Sequence, residues 1–415
     1  MSIKILCIAD IHLGKNISFL PDEIKLSPQL AWNNSVELAI SQNIDLVVIA
    51  GDIIDNENVF FDVYSFLEKG INNLINAKIT TVVVAGNHDN SLIEKFENLI
   101  SSPYFIFLGK DQKWERKSII INGKTISFDG WSFNSPFFDK DPLKEYDLPL
   151  KKEDEIKIGV LHCDKTKSCY APIDVQSLKS FPHDIWVLGH IHTPEILLQN
   201  PFTFYCGSLM SLDVSETNFH GADLIEIDNT VKHRKINVSS LLLVDLMIDL
   251  SNVEEEELDS CLIEKISSID FDSESCFVGV NITLQGRIDY YKRLKNRIYL
   301  LEKKIVHTKF KDEKEIVFFI TKIQNKTKYK IDLEKMANGK DPLALLCQKI
   351  LILTKENSKE KNLLIEEMKS VYANAKLSFS KEENKLSDKD VENYLIEGCF
   401  LAIEELIDQK GGQCY

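Results

Sequence analysis

Five short apolar segments, each ending in side chains of metal-ligand or acid–base type, constrain this chain more than any other feature. The segments are Ile3–Ala9, Leu46–Ala50, Thr81–Ala85, Ile156–Leu161 and Ile185–Leu188. Behind them stand Asp10 and His12, Asp52, Asn87 with His88 and Asp89, His162, and His190 with His192. Runs of this length, rich in Ile and Val and lacking polar alternation, are what strands covered on both faces look like. In layered α/β folds the carboxyl ends of such strands share one edge, and ligands bind there. Clusters far apart in sequence are therefore expected to converge on one site.

The pattern around these runs sets the architecture. From Ile3 to Val238, strands alternate with helical stretches: Leu30–Ser41 and Val59–Ala77 carry apolar residues at helical spacing, and Ser91–Ile100 reads as a short helix. Further strands are predicted at Tyr104–Leu108, Lys117–Ile121, Thr125–Phe128, Phe202–Tyr205, Asp223–Ile227 and Lys232–Val238, with an aromatic- and proline-rich loop at Trp131–Pro149. The mixture predicts an α/β fold of two stacked sheets with helices outside, a four-layer α/β/β/α sandwich. At Ser239 and Ser240 the pattern changes to a β-α-β-α-β series with its own core, including an acidic helix at Glu254–Ile269 and a basic one near Asp289–Lys304. From Asp341 it is helical only, over Pro342–Thr354, Lys359–Leu377 and Ser387–Asp408, the last opened by a capping-box-like Ser387 and Asp390. The expected division is residues 1–238, a small α+β domain at 239–335 and a helical region at 336–415.

Bulk properties narrow the class. At 415 residues the chain exceeds what one core usually supports, so two or three domains are expected. No stretch approaches the roughly 20 apolar residues needed to span a bilayer, and the start shows no basic segment, apolar core or cleavage site of a signal peptide. A cytoplasmic protein is expected. The nine cysteines are scattered without the paired spacing of structural zinc sites, and read as buried or incidental thiols. A net charge of −15 opposes phosphate binding, which draws on Lys and Arg. Two divalent cations would add about four positive charges where they matter.

A carboxylate bridging two divalent ions, flanked by imidazole, amide and carboxylate ligands, suits metals of intermediate hardness such as manganese, iron or zinc. Asp52, the lone ligand of its cluster, is the natural bridge. Asp10, His12 and His192 would complete one shell, and Asn87, His162 and His190 the other. Two such ions clamp a phosphate, acidify a bridging water and stabilise in-line displacement. His88 is left free of metal, placed to donate a proton to the leaving oxygen; Asp89 orients His88 or its turn. Taken singly each motif is commonplace, and their joint order carries the reading. His183, His220, His233 and His307 are assigned surface or structural roles.

In this order the motifs resemble the calcineurin-like metallophosphoesterase superfamily, with D-x-H, G-D, G-N-H-D/E, H and G-H-x-H. Asp10 to Gly14 looks like the D-x-H-L-G form of its DNA repair exonuclease branch, the SbcD- and YhaO-like nuclease subunits. Gly51 to Asp55 resembles their G-D-x-x-D version, and Tyr205 to Ser208 their Y-P-G-S segment, with Cys206 in place of proline. The resemblance covers about residues 1–238, extends more loosely to a capping domain, and includes a YhaO-type segment from Asp341. It implies a manganese pair on the seven ligands and His88 as catalytic acid. It also implies a homodimer acting on DNA with an SMC-like coiled-coil ATPase docked through the C-terminal helices. Asp55 stands where many relatives have a second histidine. No G-x-x-x-x-G-K-[ST] loop is present, so the chain is not itself that ATPase.

The expected function is thus a metal-dependent DNA exonuclease or endonuclease acting in repair or processing. The competing readings are a cyclic-nucleotide or other small-substrate phosphodiesterase on the same scaffold, and a non-catalytic ATPase tether. About 175 residues beyond the core favour the nuclease, and the complete ligand set opposes the tether.

Overall fold

A computed structural model of the chain describes residues 2–55, 61–89, 100–149, 155–228, 230–270, 275–302, 304–311, 314–355, 358–376 and 387–409. The helix expected at Ser91–Ile100 lies, except for Ile100, outside the described residues. The chain divides into two compact units. One comprises Met1–Leu246, Ile263–Ile282 and Glu302–Lys322; the other comprises Met247–Leu262, Thr283–Leu301 and Ile323–Tyr415.

The first unit is built on two six-stranded sheets. One contains β1 (Ile3–Ile8), β2 (Leu46–Ala50), β3 (Thr80–Val84), β4 (Phe105–Phe107), β11 (Ala222–Ile227) and β12 (Val231–Ile236), in the order β12-β11-β1-β2-β3-β4. The other contains β5 (Glu115–Ile121), β6 (Lys124–Trp131), β7 (Glu155–His162), β8 (Ile185–Gly189), β9 (Glu195–Gln199) and β10 (Phe202–Tyr205), in the order β5-β6-β7-β8-β10-β9. Strands β1 to β4 are mutually parallel, as are β6, β7, β8 and β10. Register aligns their ends: Ile8 pairs with Ile49, Ala50 with Val84, and His162 with Gly189. The residues that follow β1, β2, β3, β7 and β8 therefore leave the sheets along one edge.

Burial on both faces explains the unbroken apolar runs. Ile5, Cys7, Val48 and Val82 point between the sheets, against Phe128, Ile158, Val160, Val187 and Phe204. Their chain neighbours Leu6, Ile8, Val47, Ile49 and Val83 point outward, onto helices α1 (Pro28–Ser41) and α2 (Phe61–Asn76), where they meet Trp32, Val36, Leu67, Ile71 and Leu74. Each such side chain contributes about 1.5–3 kcal/mol on burial, so a polar residue at any of them would oppose the fold. Ser27 starts α1: its side chain accepts from the Leu30 amide, and Pro28 occupies the first turn.

The fourth layer, outside the second sheet, consists of aromatic loops and two 3-10 turns, Pro142–Glu145 and Val175–Ser180. Trp114, Trp131 and Trp186 are buried there with Phe133, Leu143 and Leu178. Three indoles cover a sheet face without the regular stripe of a helix. Gly159 on β7 makes room for them, because a Cβ there would lie 2.2 Å from the Trp186 ring. Asp129, fully buried on β6, accepts from Arg116, Tyr146 and His183. Together they form a polar knot within this layer.

Strands β13 (Leu241–Asp249), β14 (Phe277–Gln285), β16 (Ile305–Lys311) and β17 (Lys314–Asn325) form a sheet ordered β13-β14-β17-β16, most of whose residues belong to the first unit. The stretch read as an acidic helix is a 3-10 turn at Glu255–Glu257 followed by α3 (Leu258–Ser267). The second unit holds α4 (Tyr291–Leu301), the short parallel pair β15 (Arg287–Ile288) and β18 (Lys328–Tyr329), and helices α5 (Leu333–Met336), α6 (Pro342–Thr354), α7 (Lys359–Lys376) and α8 (Asp388–Gln409). Its core joins Leu343, Cys347 and Ile350 of α6 to Ile403 and Ile407 of α8. Ser387 and Asp390 cap α8 reciprocally, each side chain accepting the other's amide. No helix among the described residues is long and apolar enough to cross a membrane.

Candidate metal centre

All five strand-end clusters meet at one edge of the first unit. The turn after β1 is laced to the turn after β2: the amides of Asp10, His12 and Leu13 donate to the carbonyls of Gly51, Asp52 and Ile53. Asp10, His12, Asp52 and His190 all hold left-handed backbone angles, with φ of 48°, 50°, 51° and 96°. Non-glycine residues adopt this region at a cost, one that Asp and His side chains meet more often than most. Glycines allow the turns to touch. A Cβ on Gly86 would lie 2.1 Å from the Asp52 carboxylate, and one on Gly189 2.0 Å from the Ala50 carbonyl.

The donor atoms form two groups around Asp52. Asp10, His12 and His192 present ligand atoms within 4.8 Å of one another, and so do Asp52, His162 and His190. Asp52 Oδ2 lies 3.8 Å from His12 Nε2 and 3.3 Å from His162 Nε2, between the groups. Asn87 Oδ1 joins the second at 3.2 Å from His162 Nε2. A third grouping, His12, Asp55 and His88, lies beside the first. The His88 amide donates to Asp52 Oδ1 at 2.9 Å, and its ring meets His12 edge-on at 5.0 Å.

The chemistry of these donors fits a pair of divalent cations. His162 Nδ1 lies 2.9 Å from the Ala50 carbonyl, which can only accept, so neutral His162 turns the lone pair of Nε2 toward Asp52 Oδ2 and Asn87 Oδ1. His192 Nδ1 likewise faces the Glu216 carboxylate at 2.7 Å, leaving its Nε2 lone pair 3.1 Å from His12 Nε2. Acceptors so placed repel unless a proton or a cation lies among them. Metal-bound histidines take this form, with the second nitrogen donating to a carbonyl or carboxylate. Oxygen and imidazole donors mixed in this way suit ions of intermediate hardness.

In the ion-free chain, protons are held unevenly. Burial, aided by the Asp52 charge, raises the Asp10 carboxyl to about 6 despite His162, His192 and the His190 amide. Burial opposes ionisation of Asp52 too, but His162, His12 and His88 together hold its carboxyl well below the usual range. The reciprocal effect of Asp52 lifts His162 to about 9 against its own burial. Burial dominates for His12, lowered to about 3, and for His190, lowered to about 4. His88 is raised, chiefly by its hydrogen bond to Asp55.

Several supporting residues carried no signal at the strand ends. Glu216 braces His192, and its other oxygen accepts from the Leu212 amide at 2.8 Å and from Ser208. Ser208 also meets His220, which is buried and structural, and the Ser208 amide donates to the His192 carbonyl. The Tyr205–Ser208 stretch thus buttresses the centre. Asp89 is fully buried and orients the turn, not His88: Oδ2 accepts from Ile53 N at 2.6 Å and Oδ1 from Gly86 N at 2.7 Å. Asp55 takes the place facing His88, 3.5 Å from Nδ1. Asp164 lies 3.7 Å from His190 Nε2. Cys163 packs its thiol against the Tyr205 hydroxyl, and burial pushes that thiol up. His183 is buried with Asp129 and belongs to neither donor group, and His233 pairs with Asp223.

Residues 3–194 match the calcineurin-like phosphoesterase family. This segment, a little under half of the chain, is similar to calcineurin-like phosphoesterase domains. It contains every member of the two donor groups, together with His88. Over 238 residues the chain is 28% identical to the uncharacterized metallophosphoesterase YhaO of Bacillus subtilis (strain 168), a match covering 53% of this chain and 56% of that protein. The chain therefore spans little more than half the length of that relative. Among solved structures it is similar to a dimetal phosphatase from Danio rerio, with a TM-score of 0.35 and 13% identity over 56% of this chain and 96% of that one. It is similar also to TT1561 of Thermus thermophilus, with a TM-score of 0.35 and 13% identity over 57% and 99%. In this chain the matched segment supplies His/Asp clusters suited to a dimetal centre.

Proposed function

We propose that this chain is a metal-dependent phosphodiesterase whose substrate is DNA, the nuclease subunit of a complex with an SMC-like coiled-coil ATPase. The observation that carries the hydrolytic reading is the pair of donor groups flanking Asp52, with His88 alongside. Asp10, His12 and His192 would hold one ion and Asn87, His162 and His190 the other, with Asp52 shared; manganese is the proposed metal. When bound, such a pair supplies neutralisation of the phosphoryl charge and acidification of water.

The residues of the chain do the rest. Glu216 and the Ala50 carbonyl fix His192 and His162 with Nε2 inward. Asp89 sets the two turns that carry Asp52 and Asn87. His88 is tied by its amide to Asp52 and by Nδ1 to Asp55, so Nε2 is the atom free to hand a proton to the leaving oxygen. Its side chain is 36% exposed, in contrast to the buried His12 and His162. A proton donor has to meet both substrate and solvent, and the exposure of His88 supports that role.

The DNA assignment is supported by the motif forms at Asp10–Gly14 and Gly51–Asp55 and by the length of chain after the catalytic domain. Docking of an ATPase is supported by the apolar residues that the helices of the second unit expose, among them Leu345, Leu363, Val371, Tyr394 and Leu401. The test is hydrolysis, with manganese present, of a labelled DNA duplex, bis-p-nitrophenyl phosphate and cyclic nucleotides. Cleavage of the duplex is expected. Activity confined to the small esters would assign the chain to small-substrate phosphodiesterases instead.

A further inference from the structure

A row of rings runs outward from the candidate metal centre. His162, fully buried, meets His190 with centroids 5.2 Å apart; His190 meets Tyr170 at 5.0 Å; Tyr170 meets Phe137 at 5.8 Å. The last two contacts are tilted, with interplanar angles of 38° and 40°, so the faces turn gradually. Phe137 ends the row with 61% of its surface exposed, although it belongs to a loop whose next residue, Phe138, packs into the aromatic core. Phe137 is thus the solvent-facing end of a row of rings whose inner end, His162, is buried.

The two loops that carry these rings are fixed together before any ligand arrives. The Phe138 amide donates to the Cys169 carbonyl at 2.9 Å, and the Ala171 amide donates to the Phe138 carbonyl at 2.7 Å. The Tyr170 loop is closed onto β7: Asp164 N donates to Tyr170 O at 3.0 Å, Ile173 N to Asp164 O at 2.9 Å, and Cys163 N to the Gly189 carbonyl. Tyr170 is thereby held against His190 by main-chain bonds, not merely by contact. A preorganised ring costs little entropy when a ligand covers it.

We propose that Phe137 and Tyr170 form a stacking platform for a nucleobase attached to the scissile phosphodiester. The inference rests on the phosphodiesterase reading for the position of the phosphate, and adds the chemistry of the group beside it. A base attached to a phosphate held at His190 would reach the Tyr170 ring first and the exposed Phe137 ring next. Stacking of a base on an aromatic side chain is tolerant of sequence, since every base has a π-face. The platform therefore selects nucleotides over plain phosphodiesters without choosing among bases.

The test compares two esters with the same leaving group, thymidine 5′-(p-nitrophenyl phosphate) and methyl p-nitrophenyl phosphate, on the full chain with manganese. For the unaltered protein, kcat/KM for the nucleoside ester should exceed that for the methyl ester by about tenfold, the size of one stacked base. Phe137→Ala should bring that ratio close to one, whereas Phe137→Trp and Tyr170→Phe, which keep a ring in place, should retain it. A ratio that survives Phe137→Ala overturns the platform. Should neither ester be hydrolysed, the phosphodiesterase reading fails, and calorimetry with adenosine 5′-monophosphate against ribose 5-phosphate decides the platform alone. Tighter binding of the nucleotide that Phe137→Ala abolishes supports it; equal affinities overturn it.

Discussion

Asp89 offers the sharpest test of how the centre is held, because one fully buried carboxylate carries two turns. Replacing it with Ala removes acceptors from the Ile53 and Gly86 amides, at 2.6 and 2.7 Å, and leaves both donors without them inside the protein. A hydrogen bond to a charged group contributes about 1.5–3 kcal/mol, so two give roughly 3–6. Part of this is offset, because burial and the nearby Asp52 charge raise the Asp89 carboxyl to about 7, a sign that keeping it ionised is itself costly. The expected net loss for Asp89→Ala is about 2–4 kcal/mol. Asp89→Asn keeps one acceptor but sets its amide group against the second backbone N–H, for about 1–2 kcal/mol. The assay is urea unfolding of the chelator-treated protein at pH 8, comparing midpoints at constant slope. Both variants should also bind less metal, since Asp52 and Asn87 lie on the turns released. If Asp89→Ala unfolded within about 0.5 kcal/mol of the parent, the range of an ordinary surface change, the bracing role would be refuted.

Three further outcomes are expected. Glu216→Ala should weaken manganese binding by roughly 10–100-fold, read by competition with a fluorescent chelator, while Glu216→Gln, which can still accept from His192 Nδ1, should lose less; equal losses would show that orientation of His192 is not the cause. His88→Ala should lower kcat by about 10²–10⁴-fold with metal content retained, and unchanged turnover would remove His88 as the proton donor. Asp129 is opposed by burial yet held low by His183, Arg116 and Tyr146, so its folded pKa lies below the unfolded value. Its contribution to stability is therefore complete above about pH 4 and is lost as pH falls further. Asp129→Asn should flatten that acid limb in thermal unfolding between pH 5 and pH 2, and an unaltered limb would refute the assignment.

Much of this was legible because both-face burial leaves an unmistakable pattern. Alternate residues of β1, β2 and β3 face either the opposite sheet or the helices, so nearly all are apolar, the polar ones (Lys4, Thr80 and Thr81) standing toward the strand starts. The first polar residues afterwards, Asp10, Asp52 and Asn87, mark the edge where the strands end. His162 and His190 follow the same logic on β7 and β8. Glu216 was invisible because it stands in a loop past the last motif, where neither periodicity nor spacing distinguishes it from a surface acid. Its burial arises from tertiary contacts with Ser208 and Leu212. Asp89 was read as orienting either His88 or the turn, and only the positions of the Ile53 and Gly86 amides decide between them. The make-up of the fourth layer was likewise hidden. Aromatic and proline enrichment at Trp131–Pro149 announces a loop, but says nothing of the indoles stacking into a cover for the sheet. His183 reads as a structural histidine, and its partner Asp129 is concealed within the strand-like run of β6.

The central claim is that two cations share Asp52. Crystals grown with manganese and measured on either side of its absorption edge report this directly. The account predicts two anomalous peaks separated by about 3.5–4 Å, one touching Asp10, His12 and His192, the other Asn87, His162 and His190, with Asp52 reaching both. A single peak, or none within reach of Asp52, would contradict it.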